Sequence, residues 1–333
     1  MAFSGSRNYT ESYTAASIIA RALKRLGIQD ADESVDSTEE SDALEVLNLI
    51  IKEWMNQGAE FWLRNTGHLF LVSPGTKNFY TFGTSGTATF TSQYYVTTLA
   101  SAGAASDGSV TVTDDTNISN ADVILIEQDD GTLLKTTVNG APAANVVTLT
   151  AGLDSAASAG NIVYTWTGSS YSISDKVVRI VSAKRRITNT DNAATDAGYM
   201  EGTDTPIDMI GAEEYQALPT KLQTGQPISL FLRQETLNPE CYLWPTGGSG
   251  KVHSVVLEYN TYLQDLDGTT NNLDLPAEGV NPLCWQLAAE LAPEYGIPEI
   301  EQKRLWAVAT NKVNTFFDYL QENAPVSFGL SYQ

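Results

Sequence analysis

The chain has 333 residues, of which 42% are hydrophobic and only 18% are charged. Its length suits two or three domains, and its apolar content is sufficient for a sizeable core. The 40 acidic and 19 basic residues give a formal net charge of −21 at pH 7. Because proteins that bind nucleic acid by neutralising phosphates need clustered lysine and arginine, this balance argues against that class.

The sequence contains neither a recognisable secretion signal nor a membrane span. Its first residues lack the apolar stretch of a signal peptide, and no apolar run reaches the roughly 18 residues that a membrane helix needs. The two cysteines, Cys241 and Cys284, are too few for a disulfide framework. These features predict a soluble protein that is made in a cytoplasm.

Two amphipathic helices are predicted near the N-terminal end. The first begins at Ala15, repeats apolar residues at the helical period, and ends at Gly27, a residue type that readily adopts the left-handed conformation. The second has Ser37 and Glu40 at the spacing of a capping box and ends near Gly58. Each helix alone would expose an apolar stripe, so both are expected to pack against other elements.

The middle of the chain is rich in strand signals. Strand-like runs occupy residues 69–82, 176–186 and 252–259, and one helix is predicted from about residue 211 to 222. Between residues 84 and 166, short apolar runs alternate with Asp, Asn and Gly turns, which predicts a small antiparallel β module. A module nested in this way typically contacts a partner.

Two further helices are predicted near the C-terminal end. Asn281 and Pro282 have the pattern of an N-cap followed by proline at the first helical position, and Gly296 ends that segment. Pro298 then opens a longer helix, whose apolar stripe continues to Leu320. Because one pair of helices buries little apolar surface, the N- and C-terminal pairs are expected to pack together.

These elements predict an α+β fold. In this prediction the N- and C-terminal helices form one helical bundle, and an inserted β-rich region itself carries the nested antiparallel β module. The helical bundle would comprise residues 1–68 and 276–333. The β-rich domain would comprise residues 69–83 and 167–275, and the nested module residues 84–166.

Histidine and cysteine patterns that could support catalysis or metal binding are weak. No Gly-x-Ser-x-Gly motif surrounds a candidate nucleophile for His68 or His253. These two histidines together with Cys241 and Cys284 match none of the usual zinc spacings, and Cys284 is expected to be a small core residue. We therefore predict no catalytic residue, no metal ligand set and no cofactor.

Two other loop patterns resemble ligand sites only in part. Residues 247–251 resemble a phosphate-binding loop, but Pro245 replaces its first glycine and Val252 replaces the Ser or Thr that would hold magnesium. The Asp-rich turns at residues 114–117 and 265–268 lack the glycine and glutamate of an EF-hand loop. Asp and Asn are also common in turns for backbone reasons, which leaves calcium binding open.

The two ends of the chain carry a resemblance to a known family. Residues 22–28, an acidic loop, and residues 43–48 and 54–58 resemble the opening of phage head-to-tail adaptor proteins. These proteins are also called tail accessory factors or head-completion proteins of short-tailed phages. Residues 275–278 and 287–296 are similar to the pre-terminal helix of that family.

The β region resembles the family in fragments. Residues 242–245, which precede a strand ending at residues 257–259, look like the β-containing members. The resemblance therefore covers both ends of the chain and parts of its middle. The nested module at residues 84–166 departs from the small members of the family.

The resemblance implies a structural protein of the phage neck or tail, located in the virion and without catalytic activity. In that family a homo-oligomeric ring docks under the portal protein, follows its twelve-fold symmetry, and provides attachment for tail nozzle and fibre or spike proteins. The ring extends the DNA channel, enclosing double-stranded DNA without gripping it, and has no membrane contact. A wall carrying −21 per subunit would repel phosphate.

The C-terminal segment is predicted to be the portal-docking arm. Pro325 ends the last helix, and apolar residues then alternate with the period of an extended strand, at Val326, Phe328, Leu330 and Tyr332. An apolar alternating segment is expected to pair with a partner's strand edge or to lie in a groove. Folding back on its own subunit is the alternative.

Two other functions stay open at this point. In the first, the nested module binds a host surface or carbohydrate through an aromatic platform formed by Tyr94, Tyr95 or Trp166. In the second, the protein is a virion-associated cell-wall hydrolase, which requires two carboxylates that face one cleft. The 40 acidic residues permit such a pair, but no local pattern identifies one.

Overall fold

The structure, a computed structural model, divides the chain into two compact units. It describes residues 13–29, 35–56, 64–72, 75–188, 202–247, 252–273 and 275–320. One unit, which we call the helical unit, comprises Met1–Leu63 together with Tyr262–Gln333. The other, the β unit, comprises Arg64–Thr261. Within the described ranges, none of the helices is long and apolar enough to span a membrane.

Regular structure in these ranges consists of six helices and fifteen strands. The helices are α1 (Ala15–Leu26), α2 (Ser37–Asn56), α3 (Gly168–Tyr171), α4 (Ala212–Ala217), α5 (Ala277–Leu291) and α6 (Glu299–Tyr319). The strands are β1 (Arg64–Phe70), β2 (Phe79–Thr81), β3 (Thr89–Thr91), β4 (Tyr95–Thr98), β5 (Ser109–Thr111), β6 (Val123–Glu127), β7 (Leu133–Thr137), β8 (Val146–Thr148), β9 (Ile162–Trp166), β10 (Val177–Thr188), β11 (Gly202–Pro206), β12 (Asp208–Met209), β13 (Ser229–Arg233), β14 (Glu240–Trp244) and β15 (Val252–Thr261).

The predicted fold class is wrong, because most elements of the described chain are strands. Four sheets account for most of its elements, and the short helices α3 and α4 lie among the strands rather than at the chain ends. An α+β fold defined by one terminal helical bundle therefore does not describe it. The prediction gave most weight to the long helical periods at the ends. Strands of three to five residues, such as β5 and β8, are too short to show a period of their own.

The helical unit is held by one hydrophobic core to which α1, α2, α5 and α6 all contribute. On α1, the Thr14 side chain accepts a hydrogen bond from the Ser17 backbone N–H at 3.3 Å. Gly27 ends this helix in the left-handed conformation, with φ of 74°. In this core, the Trp54 indole N–H donates to Gln286 Oε1 at 2.5 Å. The one polar group of this large buried side chain therefore has a hydrogen-bond partner.

Two helices have different ends from those predicted, and both differences involve proline. The helix expected to begin at Pro282, with Asn281 as its N-cap, begins at Ala277, so that Pro282 lies inside α5. The helix expected to reach residue 222 ends at Ala217. Leu218 has an extended backbone, with ψ of 138°, because the residue before a proline, here Pro219, is disfavoured in the helical region.

The β unit contains three larger sheets and one small one. A five-stranded sheet has the order β11-β10-β15-β1-β3, and a four-stranded sheet has the order β12-β13-β14-β2. One hydrophobic core includes residues from both of these sheets, among them Leu69, Leu243 and Leu257. The nested module contains a second four-stranded sheet, β4-β9-β6-β7, and a two-stranded sheet, β5-β8.

The nested module packs on the five-stranded sheet through an aromatic cluster. Phe70 of β1 contacts Tyr94, Tyr164 and Trp166, and its ring is stacked on that of Trp166 with centroids 5.4 Å apart. All five residues of β9 are buried. The contiguous apolar pattern of β9 and of the end of β1 therefore reflects strands that are covered on both faces.

The structure assigns β3 to the large sheet rather than to the nested module. Thr89–Thr91 pairs with β1, and Phe90 belongs to the core beneath that sheet. The module's own sheet therefore starts at Tyr95, whereas the predicted module starts at residue 84. This boundary matters for any deletion of the module.

Candidate functional site

The predicted portal-docking arm lies outside the described residues. This applies to all four of its apolar positions, which are Val326, Phe328, Leu330 and Tyr332. The helix that leads to them, α6, is described to its C-terminal residue Tyr319 and its cap Leu320. The surface around α6 is therefore the described part of the molecule that bears on this prediction.

One side of α6 is buried and the other is exposed and almost uncharged. The buried side consists of Leu305, Ala309, Val313 and Phe316 at the helical period. Between Arg304 and Asp318, the sequence has a single charged residue, Lys312. The exposed residues of this stretch are Trp306, Ala307, Thr310, Asn311, Asn314 and Thr315. We call them, together with the exposed Asp318 and Tyr319, the α6 face.

Aromatic side chains mark both ends of the α6 face. Trp306 is 39% exposed and Tyr319 is 72% exposed. Exposed aromatic residues on a surface with few charges are typical of the central part of protein–protein interfaces, where charged residues are depleted. Trp and Tyr are also the residues that most often dominate binding energy.

Two grooves flank the α6 face. The first, of about 440 Å³, lies between α5 and α6, and its lining includes Pro282, Thr315, Phe316 and Tyr319. The second, of about 160 Å³, lies on the other side, and its lining includes Gln286, Trp306 and Asn314. A helix with a groove on each side is a suitable surface for a partner helix or an extended segment.

Each groove has one carboxylate in its lining, Glu278 in the first and Glu53 in the second. Burial, and then the Glu53 carboxylate, raise the pKa of Glu290 on α5. Glu290 itself is not part of the second groove's lining. Glu53 and Glu290 therefore do not both line the second groove. They do not form the pair of carboxylates in one cleft that a glycoside hydrolase needs.

Both histidines lie at the joint between the nested module and the five-stranded sheet. His253 Nδ1 lies 2.9 Å from the Tyr164 hydroxyl, and its Nε2 lies 3.4 Å from Glu127 Oε1. His68 is 2% exposed, and its Nδ1 has no hydrogen-bond partner among the described residues. Burial, and to a smaller extent the charge of Arg186, lower the pKa of His68 to about 4. The histidines thus pack as parts of an interior joint.

The cysteines are also interior residues. Cys241 lies in β14 of the β unit and Cys284 in α5 of the helical unit, and both are buried and unbonded to each other. Burial raises the pKa of each thiol. Among the described residues, no group of three or more His, Cys, Asp or Glu side chains is arranged to hold a metal ion.

The Asp-rich turns use their carboxylates within the fold. Asp114 Oδ1 accepts from the Thr116 backbone N–H at 3.0 Å and from its hydroxyl at 2.6 Å. Asp115 Oδ2 accepts from the Asn145 backbone N–H at 3.0 Å. Asp265 pairs with Lys52 at 3.2 Å. These contacts account for the acidic residues as turn and packing features. The core of the Gly-rich segment, residues 248–251, lies outside the described residues.

The expected aromatic platform is not on the surface of the nested module. Tyr94 is 0% exposed and Trp166 is 1% exposed, because both pack against Phe70. Tyr95 is partly buried, and its hydroxyl accepts from the Gln93 amide at 3.1 Å. These three residues therefore do not form the exposed aromatic platform on which carbohydrate binding was predicted.

Sequence reasoning identified the buried side of α6 and overlooked its exposed side. The apolar stripe from Leu305 to Phe316 is evident from spacing alone. The signal that could have identified the other side is the near absence of charge across residues 305–317. That signal is weak in a chain with only 18% charged residues. It indicates a contact surface only when this side of the helix is known to be exposed.

Comparisons with known proteins give no relative from which a role could be transferred. The chain matches no protein-family model, and no curated protein matches it. Its function must therefore be argued from its own surface, its charge and the residues quoted for the adaptor resemblance.

Proposed function

We propose that the protein is a non-enzymatic structural protein of a phage virion, a head-to-tail adaptor whose copies form a ring under the portal. The observation that carries this proposal is the α6 face, an exposed and almost uncharged helix surface with Trp306 and Tyr319 at its ends. Such a surface has little reason to be selected in a monomer, and it leads directly to the predicted docking arm. The resemblance of the chain ends to adaptor proteins gives the partner.

In this proposal the helical unit provides the portal contact. The α6 face and its two grooves receive part of the portal, and residues 324–333 extend the contact as an arm. Rigid helical surfaces suit such a contact, because little conformational entropy is lost when they dock. The arm adds apolar side chains that gain from leaving water.

The acidic charge of the chain suits a channel for DNA. A ring of subunits that each carry −21 would surround the passage with negative potential. Such a wall repels phosphate, so DNA can pass without being held. In the adaptor family the neighbouring tail proteins are nozzle and fibre proteins.

The proposal is tested by capture of the full-length protein on portal rings from the same phage. We expect Thr310→Lys with Asn314→Lys, which adds two charges to the α6 face, to weaken capture about tenfold or more. Removal of residues 324–333 should abolish capture while leaving the helical circular dichroism signal unchanged. Val146→Lys with Thr148→Lys provides the matched control, because it adds the same two charges at exposed strand residues of the nested module.

The outcomes separate the parts of the proposal. Unchanged capture of the α6 double variant would contradict the role of the α6 face. Unchanged capture of the truncated protein would contradict the docking arm. If the unmodified protein does not bind portal rings at all, the adaptor function itself is wrong.

A further inference from the structure

The two N-terminal helices carry opposite charge. Helix α1 contains Arg21, Lys24 and Arg25 and no acidic residue. These three basic residues fall within five positions of a chain that has only 19 in 333 residues. Arg21 and Lys24 are exposed. They are spaced three apart and therefore lie on one side of the helix, which we call the basic edge.

Arg25, which follows the basic edge in the sequence, anchors α1 to α5. Arg25 Nη2 donates to Asn281 Oδ1 at 2.8 Å, and its guanidinium lies 4.6 Å from the centroid of the Trp285 ring. Arg21 lies over the Tyr13 ring at 4.8 Å. A cation that rests on an aromatic ring keeps a defined position at low entropic cost, so α1 presents its charge from a fixed place.

Helix α2 presents the complementary sign. It contains five acidic residues and one basic residue, Lys52, which pairs with Asp265 at 3.2 Å. Asp42, Glu45 and Leu49 are exposed and spaced three and four apart, so they share one side of the helix, which we call the acidic edge. Leu49 is 61% exposed, which places a large apolar side chain on this acidic surface.

The neighbourhood of the acidic edge is crowded with negative charge. Burial raises the pKa of Tyr295, and the carboxylates of Glu39, Glu294 and Asp42 raise it further. Carboxylates that crowd in this way repel one another in an isolated subunit. A cationic surface placed against them would relieve that repulsion and cover Leu49.

We propose that the basic edge of α1 in one copy binds the acidic edge of α2 in the next copy around the ring. The occupant of each edge is thus a second copy of this chain, chosen by charge complementarity. Two different edges of one subunit form a heterologous contact, which repeats from copy to copy and closes into a ring at the appropriate rotation. The inference rests on the proposed function, because it specifies how the adaptor ring is held together.

Charge reversal in the full-length protein tests this contact. The basic-edge variant is Arg21→Glu with Lys24→Glu, and the acidic-edge variant is Asp42→Lys with Glu45→Lys. We expect each variant to lower ring assembly about tenfold, because like charges then face each other between copies. The chain carrying all four changes should assemble again, because its two edges have exchanged sign and remain complementary.

Mixing the two variants gives a second test. One variant then has two acidic edges and the other has two basic edges. The mixture should therefore form rings of alternating copies, although each variant assembles poorly alone. Lys303→Glu with Arg304→Glu is the matched control, since it makes the same net change on exposed residues of α6. Thermal melting by circular dichroism checks that all variants fold.

Light scattering and rotational class averages, alone and on portal rings, distinguish the outcomes. The inference is overturned if folded edge variants assemble as the unmodified protein does, or if neither the four-fold variant nor the mixture recovers assembly. Recovery as two-copy particles would support the contact but contradict the adaptor ring. If the unmodified protein does not assemble even on portals, the proposed function fails. The contact is overturned with it in that case, because the unmodified edges are already complementary. A protein that assembles alone but does not bind portal rings would contradict only the proposed function.

Discussion

At the scale of single residues, His68 couples stability to pH. Burial and Arg186 lower its pKa in the folded protein to about 4, below the value near 6.5 that is usual in an unfolded chain. Between these values the unfolded state binds more protons than the folded state. The free energy of unfolding therefore falls as the pH decreases from 6.5 to 4, by about 3 kcal/mol at most, and this effect levels off below pH 4.

The His68→Gln variant should lose this share of the pH dependence. Urea denaturation at pH 7.5, 5.5 and 4.5 gives the free energies of unfolding for both proteins. Because other groups of the chain also change protonation at the acidic end of this range, the difference between the two slopes isolates the histidine. Equal slopes for both proteins would show that His68 does not resist protonation in the folded state.

Phe70 is the residue on which the joint of the nested module depends most. Its ring contacts Tyr94, Tyr164 and Trp166, and it is 0% exposed. We expect Phe70→Ala to lower the free energy of unfolding by about 3–5 kcal/mol, because it removes buried apolar surface and leaves a cavity. Denaturant unfolding followed by tryptophan fluorescence measures this change.

Phe79→Ala is the control for the Phe70 substitution. Phe79 is 36% exposed on β2, so the same truncation there should cost only about 1 kcal/mol. Equal losses for the two variants would contradict the assignment of Phe70 as the centre of the joint.

At the scale of elements, the structure sets the boundary at which the nested module can be removed. Replacing residues 95–166 by a short Gly/Ser linker keeps β3 and Phe90 in the large sheet. Tyr95 and Thr165 are paired across β4 and β9, so the linker has a short gap to close. We expect this protein to keep its helical signal and a cooperative, though weaker, β unit, since Phe70 becomes exposed.

Replacement of residues 84–165 should be more damaging. It removes β3 together with Phe90, which contacts Phe82 and Tyr259 in the core. Circular dichroism and thermal melting compare the two proteins. A longer deletion that melts as cooperatively as the shorter one would show that β3 does not belong to the large sheet in solution.

The elements also show how far sequence patterns reach. The end of α1 follows from a local signal, because Gly27 acts through its own turn. The start of α2 was predicted one residue out of place: Ser37 is the first helical residue, and Asp36 Oδ1 accepts from the Thr38 backbone N–H at 2.9 Å. The pairing of β1 with β15 does not follow from such signals, since Leu69 and Val255 are far apart in the chain. Nothing local indicates that Trp166 would be covered rather than exposed.

The same distinction applies to the candidate site. The helix that carries the α6 face could be predicted from its apolar stripe, whereas its grooves depend on how α5 and α2 pack beside it. Burial of Tyr94 and Trp166, which removes the expected platform, depends on Phe70 of a distant strand. The exposure of these aromatic residues was predicted wrongly because it depends on packing between elements that are distant in the sequence.

At the scale of the whole molecule, charge governs the interaction with DNA. With −21 per copy, we expect no affinity for duplex DNA that depends on salt concentration. Fluorescence anisotropy with a labelled duplex, at roughly 50 and 200 mM salt, measures this. Tight binding at low salt that weakens steeply at high salt would contradict a repulsive channel, because it would require a basic surface.

Assembly on the portal is the central claim, and the mass and symmetry of the complex test it most directly. Light scattering of the full-length protein with portal rings, followed by rotational class averages, gives both quantities. The adaptor function predicts a complex of one portal ring with a ring of twelve copies that shares its rotational symmetry. A protein that remains monomeric beside intact portal rings would contradict it.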